Sequence, residues 1–199
     1  YHKIKNDSVD LVVISTPTKT HFFLANYFLK FSNVLIEKPL CGPGMAGCEE
    51  IYARSKSKEI PIFVGYNHAL SKSIKIFEKY INKSIVGEPL TLDVEFREHW
   101  EGIFRAHPWL NGPEDTYLGF SERGGGASGE HSHAIHMWIT IAKFFNLGRV
   151  KKVQAKMQKI KDSKSNYDSI CLLNLTTENG FIGRCVQDVI TKPSRKFAR

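Results

Sequence analysis

The sequence predicts an α/β fold in which a parallel sheet is followed by an α/β domain with a largely antiparallel open sheet. Short apolar runs that alternate with helix-like segments predict the parallel sheet, because each helix carries the chain back to the start of a neighbouring strand. Strict alternation of apolar and charged residues over 92–97 instead predicts a strand with one solvated face. The pattern changes near Gly87, which predicts a first domain at residues 1–86 and a second at 87–199.

The first domain is predicted to contain three buried strands and two intervening helices. The strands are the apolar, β-branched runs Asp10–Ser15, Val34–Ile36 and Pro61–Tyr66. Apolar residues at helical spacing predict one helix over about 21–30 and another that begins near Met45, after a Gly-Pro-Gly turn. The resulting order predicts two right-handed parallel crossovers.

The second domain is predicted to combine strands with one long loop and one helix. The strands are Val150–Met157, Ile170–Thr176 and Phe181–Ile190, and Glu178–Gly180 is a strong hairpin signal between the last two. Three consecutive glycines lead into the helix. The segment from His99 to Arg123 is irregular and rich in aromatic residues, which is typical of functional loops.

Composition excludes several classes of function. The 199 residues carry a net charge of +8, and no apolar run approaches the length of a membrane-spanning helix, so we expect no membrane partner. The positive charge comes from scattered lysines without stacking aromatics or a reading motif, which favours a solvated surface over a nucleic-acid partner. The four cysteines show neither CxxC pairing nor zinc spacing, and we expect reduced thiols in a cytoplasmic protein.

The second predicted strand ends abruptly in Glu37, Lys38 and Pro39. Ligands bind outside the carboxyl ends of strands in open α/β sheets, so the carboxylate and the ammonium group lie where a cofactor or substrate is expected. Pro39 cannot extend the ladder and fixes the direction in which the chain leaves it. Taken alone, this segment is better explained as a solvated charge pair at the end of a strand.

A histidine-rich segment follows the glycines Gly124–Gly126. Glu130 and His133 are three residues apart on the predicted helix and share a face, so the carboxylate could tune the imidazole for proton transfer near neutral pH. His133 and His136 have the same spacing. We expect no metal, because the spacing matches no common zinc motif and no cysteine is placed to help. Structural histidines that pack the helix against a sheet are an equal alternative when this segment is taken alone.

The order of these segments resembles one known family. The chain carries Thr16-Pro17-Thr18 with His21, then Glu37-Lys38-Pro39, then Gly65-Tyr66-Asn67, and then the glycines with Glu130-x-Ser132-His133. Over nearly the whole chain this set resembles the glucose-fructose oxidoreductase, inositol dehydrogenase and rhizopine-catabolism family of nicotinamide-dependent sugar oxidoreductases. The resemblance implies the C-terminal half of a Rossmann-type sheet, followed by a domain whose open sheet often serves as an oligomer interface.

The resemblance also implies NAD or NADP as cofactor and a sugar, cyclitol or nucleotide-sugar as substrate. Lys38 would polarise the reacting hydroxyl, His133 would be the general base in oxidation, and Glu130 would orient His133 or contact substrate. The residues implied to line the cofactor are Thr16, Pro17, His21, Glu37, Lys38 and Asn67. Hydride leaves a carbinol carbon only as its hydroxyl proton is removed, so a base and a cation at one oxygen suit this chemistry.

Two positions depart from the pattern of the family. Many relatives have Asn-x-Arg-Phe after the third strand, where this chain has Ala69 and Leu70 in place of the arginine and the phenylalanine. Many relatives also have aspartate where this chain has His136. Both changes suggest an unusual substrate. The side chains expected to contact it are Lys38, Arg105, Trp109, Tyr117, His133 and His136.

No GxGxxG motif occurs in the chain, and the resemblance implies two further βα units before Tyr1. We therefore expect a fragment, truncated at both ends, that does not bind a dinucleotide tightly by itself. The full-length protein is expected to bind one and to form a homo-oligomer through its C-terminal sheet. The alternatives are a non-catalytic, dinucleotide- or sugar-responsive regulator on the same fold and a scaffold that acts only as an oligomer interface. Retention of Lys38, Glu130 and His133 together favours the enzyme.

Overall fold

The computed structural model describes residues 9–199, which form two compact units. The first comprises the described residues up to Gly65 together with Glu122–Gly124, and the second comprises Tyr66–Ser121 and Gly125–Arg199. The predicted fold class, a parallel sheet followed by a mostly antiparallel one, is confirmed. Residues 66–86 belong to the second unit by their contacts, whereas the division of the chain into functional domains at 86/87 stays a prediction.

The first unit is a three-stranded parallel sheet with two helices. Its elements in chain order are β1 (Leu11–Ile14), α1 (His21–Phe28), β2 (Asn33–Ile36), α2 (Cys48–Lys58) and β3 (Ile62–Val64). The strands pair in the order β1-β2-β3, and both pairs are parallel. All three predicted strands are therefore present, each close to its predicted bounds.

Only one face of this sheet is covered. Val34 and Ile36 point towards the helices and are fully buried among the side chains of α1 and α2. On the other face Leu11, Val13 and Phe63 are 48 %, 56 % and 51 % exposed. Strands buried on both faces were expected from the apolar runs, and for the described residues this expectation is wrong.

The second helix begins later than predicted. Met45 lies in a turn with a positive φ of 51° and is exposed, and α2 starts three residues further on, at Cys48. Within α2, Ile51 is buried while the neighbouring Tyr52 is exposed. The later start of α2 has a local cause, because the glycine-rich turn includes residues that the helical spacing of apolar side chains had assigned to the helix.

The second unit surrounds a five-stranded sheet. Its helices are α3 (Lys72–Asn82), α4 (Glu101–Ala106), α5 (Gly126–Glu130) and α6 (His133–Phe144), and its strands are β4 (Leu92–Arg97), β5 (Val150–Lys161), β6 (Asn166–Thr177), β7 (Ile182–Asp188) and β8 (Arg195–Ala198). The strand order is β5-β6-β7-β4-β8. All pairs are antiparallel except β4 with β7. The predicted hairpin between β6 and β7 is present, whereas β8 was not predicted.

The long helix α6 is the centre of the second core. Trp138 is fully buried and its indole Nε1–H donates to Leu92 O of β4 at 3.0 Å, so a large apolar side chain is buried without leaving its polar atom unsatisfied. Val94 and Ile141 pack in the same cluster. These contacts hold α6, which carries the candidate histidines, against β4.

Two predictions for this unit are wrong. The single helix expected after the triple glycine is broken, since α5 ends at Glu130 and α6 begins at His133. The charged face of β4 is not solvated, since Asp93 and Glu95 are buried and make ion pairs with arginines of the same sheet, among them Arg97 and Arg184.

Candidate active site

The three strands of the first unit end at one edge of the sheet. Because they are parallel, their carboxyl ends meet there, and this is the edge at which open α/β sheets bind ligands. The backbone N–H of Glu37 donates to Ile14 O at 2.9 Å, and the N–H of Gly65 donates to Ile36 O at 2.8 Å. The ladder therefore holds residues 37 and 65 next to each other in the last row of the sheet.

Glu37 and Lys38 place a carboxylate and an ammonium group at this edge. The Glu37 side chain is exposed and Lys38 is half-buried. The Lys38 backbone N–H donates to Glu37 Oε2 at 3.2 Å, which orients the carboxylate. A Cβ atom on Gly65 would lie 3.2 Å from the same oxygen, so the glycine leaves room for this carboxylate. The peptide bond between Lys38 and Pro39 is cis.

His21 braces the loops that leave β1 and β2. Its imidazole is buried, with Nε2 2.8 Å from Thr16 O and Nδ1 3.2 Å from Leu40 O. The two loops are thereby connected through one side chain at the start of α1. The role of His21 as a direct cofactor contact stays a prediction, and these contacts support a positioning role.

Thr16 and Pro17 form the exposed turn after β1. The Thr16 and Thr20 hydroxyl oxygens are 2.6 Å apart, and Thr20 Oγ1 donates to Pro17 O at 2.8 Å. These bonds fix the turn at the same sheet edge as Glu37. The structure thus brings together the cofactor candidates of the first unit, while the remaining one, Asn67, starts a short 3₁₀ turn in the second unit and is exposed.

In the second unit, two aromatic side chains, Tyr66 and His68, pack against His133. The Tyr66 ring stacks on His136, with centroids 4.4 Å apart and planes 9° apart, and meets His133 edge-on at 5.6 Å. The His68 ring lies 4.4 Å from His133. Packed rings of this kind limit how an imidazole can turn. Sequence reasoning identified His133 and His136 but missed Tyr66 and His68, although both flank the motif residue Asn67.

Glu130 precedes this cluster and is bound by a residue of the long loop. The Tyr117 hydroxyl donates to Glu130 Oε2 at 2.6 Å, a short charge-assisted hydrogen bond. Glu130 ends α5 and His133 begins α6, so the prediction that the two residues share a face of one helix is wrong. Tyr117, expected as a substrate contact, therefore lies at the candidate catalytic carboxylate.

Asp168 on β6 anchors the start of α5, and sequence reasoning missed it. Its buried carboxylate accepts from the Ser128 backbone N–H at 2.7 Å, from Ser128 Oγ at 3.0 Å and from Ser121 Oγ at 3.2 Å. Gly126 has a φ of +76°, and a Cβ there would collide with the same carboxylate. Burial raises the pKa of Asp168 above its ordinary value. A local sequence pattern could not reveal this contact, because Asp168 and Ser128 are forty positions apart in the chain.

Burial also affects two of the histidines. It lowers the pKa of His136, which favours the neutral imidazole at physiological pH. It lowers the pKa of His131 as well, and that effect outweighs the nearby carboxylate of Glu130. His131 lies between α5 and α6 and is buried.

Two further substrate candidates, Arg105 and Trp109, lie on the surface of the second unit. The Arg105 guanidinium contacts Glu101 at 2.9 Å within α4, and the Trp109 ring meets the His107 ring edge-on at 5.1 Å. Both side chains are exposed. Their contacts are local, and a role for them in binding substrate stays a prediction.

Within residues 9–199, no group of three or more histidine, cysteine, aspartate or glutamate side chains is arranged to hold a metal ion. Over the same residues no helix is long and apolar enough to cross a membrane.

Part of this chain is similar to a known family of oxidoreductases. Residues 1–66 match a family model described as "Oxidoreductase family, NAD-binding Rossmann fold", which confirms over that segment the resemblance inferred from the motifs. A curated relative, the "Uncharacterized oxidoreductase YhhX" of Escherichia coli strain K12, is 30 % identical over 115 residues, covering 57 % of this chain and 32 % of that protein.

Solved structures share the fold over nearly all of the chain. The NAD binding oxidoreductase from Klebsiella pneumoniae has a TM-score of 0.77 at 18 % identity, covering 97 % of this chain and 52 % of that one. An inositol dehydrogenase homolog from Azotobacter vinelandii, complexed with NADH and myo-inositol, has a TM-score of 0.71 at 19 % identity, covering 94 % and 46 %. The chain thus spans about half the length of these structures.

Proposed function

We propose that this chain is part of an NAD- or NADP-dependent oxidoreductase that transfers a hydride between a nicotinamide and a hydroxyl-bearing carbon of a sugar or cyclitol. Two observations carry the proposal: the short Tyr117–Glu130 hydrogen bond orients a carboxylate, and ring packing orients the His133 imidazole. An oriented carboxylate and an oriented imidazole are what proton transfer from a hydroxyl requires. The family match over residues 1–66 and the myo-inositol complex of the Azotobacter homolog support the same reaction class.

The strand-end groups of the first unit fit a nicotinamide dinucleotide. Glu37, Lys38 and the Thr16 turn offer both hydrogen-bond donors and hydrogen-bond acceptors. Gly65 adds no side chain to the last row of the sheet, which leaves room beside the Glu37 carboxylate. The residues that would hold the cofactor are Thr16, Pro17, Glu37, Lys38 and Asn67, with His21 bracing their loops. The bound nicotinamide supplies the acceptor or donor of the hydride.

The residues of this chain supply the proton chemistry. His133 takes the hydroxyl proton in oxidation and returns it in reduction, and Glu130 holds the imidazole in the required orientation. Tyr117 keeps the Glu130 carboxylate in one position by donating to Oε2. Lys38 brings a positive charge to the reacting oxygen and favours the developing alkoxide.

The identity of the substrate is a finer part of the proposal. Burial lowers the pKa of His136, and its ring stacks on Tyr66, at a position where many members of the family carry an aspartate. Ala69 likewise replaces a cation that many of them carry. A site that lacks this carboxylate and this cation favours an uncharged polyol as substrate over a substrate that is bound through ion pairs. Assembly as a homo-oligomer through the second sheet is also proposed.

The proposal is tested with Lys38→Ala and His133→Ala in the longest natural form of the protein. Each variant should lose about 10²-fold or more in sugar-dependent nicotinamide reduction, because each removes one of the two groups that act on the reacting hydroxyl. Cofactor binding, measured by the fluorescence of the reduced nicotinamide, should persist in His133→Ala.

Two matched variants serve as controls. Lys56→Ala removes an exposed lysine of the first unit, and Ile139→Ala changes the exposed side of α6, so both should retain full turnover. Wild-type protein that binds the cofactor but turns over no member of a broad panel of sugars and cyclitols would contradict the enzyme and favour the regulator. Equal losses in the variants and their controls would contradict the residue assignments.

A further inference from the structure

The loop between β2 and α2 brings two cysteines to one cavity. Cys41 and Cys48 are both half-buried, and both line a cavity of about 390 Å³ in the first unit. Two turns fold the connection back, since Met45 N–H donates to Gly42 O at 3.0 Å and Cys48 N–H donates to Met45 O at 3.1 Å. Residues seven positions apart are thereby brought side by side.

The two thiols interact directly and differ in their surroundings. Burial, and after it a hydrogen bond with the Cys48 thiol, raise the pKa of Cys41 to about 12. Cys41 therefore keeps its proton at neutral pH. Cys48 is the first residue of the eleven-residue helix α2 and is half-buried. This difference assigns the first attack to Cys48 and the second to Cys41.

We propose that Cys41 and Cys48 form a reversible intramolecular disulfide by exchange with a small disulfide. The Cys48 thiolate attacks one sulfur of the reagent, displaces its other half as a thiolate and forms a mixed disulfide. Cys41 then gives its proton to the displaced thiolate and attacks the Cys48 sulfur, which releases the second half of the reagent. Two protein thiols are oxidised to one disulfide, and one reagent disulfide is reduced to two thiols.

The disulfide would close a loop that is already held at both ends. At one end, His21 Nδ1 lies 3.2 Å from Leu40 O. Next to it, the Gly42 backbone lies so close to Glu122 that a Cβ atom on Gly42 would be 2.6 Å from Glu122 O. A cross-link between Cys41 and Cys48 therefore ties the segment after Lys38 to α2. This inference concerns the thiols alone and does not rest on the proposed oxidoreductase activity.

The other two cysteines provide an internal control. Cys171 on β6 and Cys185 on β7 are 2 % and 0 % exposed, and burial raises the pKa of each to about 12. Leu173, not Cys171, is the register partner of Cys185. These thiols lack both access and a thiolate, so a small disulfide should not reach them in the folded protein.

The test treats the reduced chain with an uncharged dipyridyl disulfide, because the carboxylates Glu49 and Glu50 beside Cys48 would repel an anionic reagent. Wild type and Cys171→Ser/Cys185→Ser should release two pyridinethiones per chain and lose the mass of two hydrogens. Non-reducing peptide mapping should link Cys41 to Cys48, and dithiothreitol should restore the starting mass.

Single variants separate the two roles. Cys41→Ser should stop at a mixed disulfide on Cys48 and release one pyridinethione, while Cys48→Ser should react at least about tenfold more slowly, since only the protonated thiol remains. Circular dichroism spectra check that each variant is folded. As a second measure, a trivalent arsenical that bridges two thiols should bind wild type and neither single variant. Two mixed disulfides on wild type, or a link that involves Cys171 or Cys185, would overturn the proposal.

Discussion

Each of the two sheets has one face that points away from the helices of its unit, and these two faces have opposite chemistry. In the first unit that face carries Leu11, Val13 and Phe63, all about half exposed. In the second unit the corresponding face of β4 carries Asp93 and Glu95, both buried. An apolar face therefore remains in contact with water, while a charged face is shielded from it.

The charged face is shielded by its own arginines. Arg97 contacts Glu95 at 3.2 Å through Nε and Asp188 at 3.1 Å through Nη1, and Arg184 contacts Asp93 at 3.0 Å. The long guanidinium side chains lie over the carboxylates and satisfy several oxygens at once. Alternation of apolar and charged residues thus indicates which face of a strand packs on the core. It does not indicate whether the other face is exposed to solvent.

Among the charged residues of the second sheet, the largest effect is expected from breaking this network at its centre. Glu95→Ala removes a buried carboxylate that faces the guanidinium groups of Arg97, Arg184 and Arg195, and leaves their charges facing one another. Because those arginines remain partly exposed, we expect a loss of about 2 kcal/mol in the free energy of unfolding, less than for a fully buried pair. Urea denaturation measures it.

Glu98→Ala is the matched control for Glu95→Ala. Its carboxylate pairs with Lys196 on the same sheet but its side chain is 39 % exposed, so its removal should cost no more than about 1 kcal/mol. Equal losses for the two variants would mean that the shielding of the charged face contributes nothing. The losses should be compared at several protein concentrations, because assembly through this sheet would make them concentration-dependent.

The sequence predicted the elements whose signals are local. The strand Val34–Ile36 and the turn at Glu178–Gly180 were found where the apolar run and the Asn-Gly pair indicated. The break between Glu130 and His133 could not be predicted, because a two-residue bend leaves helical spacing nearly intact. The strand β8 was missed because it is only four residues long, two of them charged, and it pairs with the distant strand β4.

The candidate site shows the same limit. Lys38, Glu130 and His133 were identified from ordered motifs, which are properties of the sequence. Tyr117 was identified only as a loop aromatic, and its bond to Glu130 depends on how a long loop packs. Asp168 carries no motif at all, since its effect on α5 arises from the pairing of distant segments.

A smaller effect is expected from the pH dependence of Asp168. Burial raises its pKa above the ordinary 3.8, so the folded state binds the proton more tightly than the unfolded state. The stabilisation associated with that proton is complete below about pH 4 and is lost as the pH rises through the folded pKa. The stability of wild type relative to Asp168→Asn should therefore fall across that window in urea titrations.

Asp115 provides a control of opposite sign. Hydrogen bonds from Asn111 lower the pKa of Asp115, so its contribution is present above about pH 4 and is lost as the pH falls. The stability of wild type relative to Asp115→Asn should fall towards low pH. Parallel slopes for the two variants would contradict the assignment of Asp168 as a buried carboxylate whose charge is disfavoured.

The smallest effect on stability, and the sharpest test of the comparison between the sheets, is expected from Phe63→Lys. Since Phe63 is 51 % exposed on the open face of the first sheet, the substitution should change the free energy of unfolding by no more than about 0.5 kcal/mol. It should nevertheless reduce the binding of a hydrophobic fluorescent dye, because that face presents apolar side chains to water. Ile36→Lys, on the covered face, should unfold the first unit. If Phe63→Lys were as damaging as Ile36→Lys, the face described as open would be covered in the natural protein, and the contrast with the arginine-covered sheet would no longer hold.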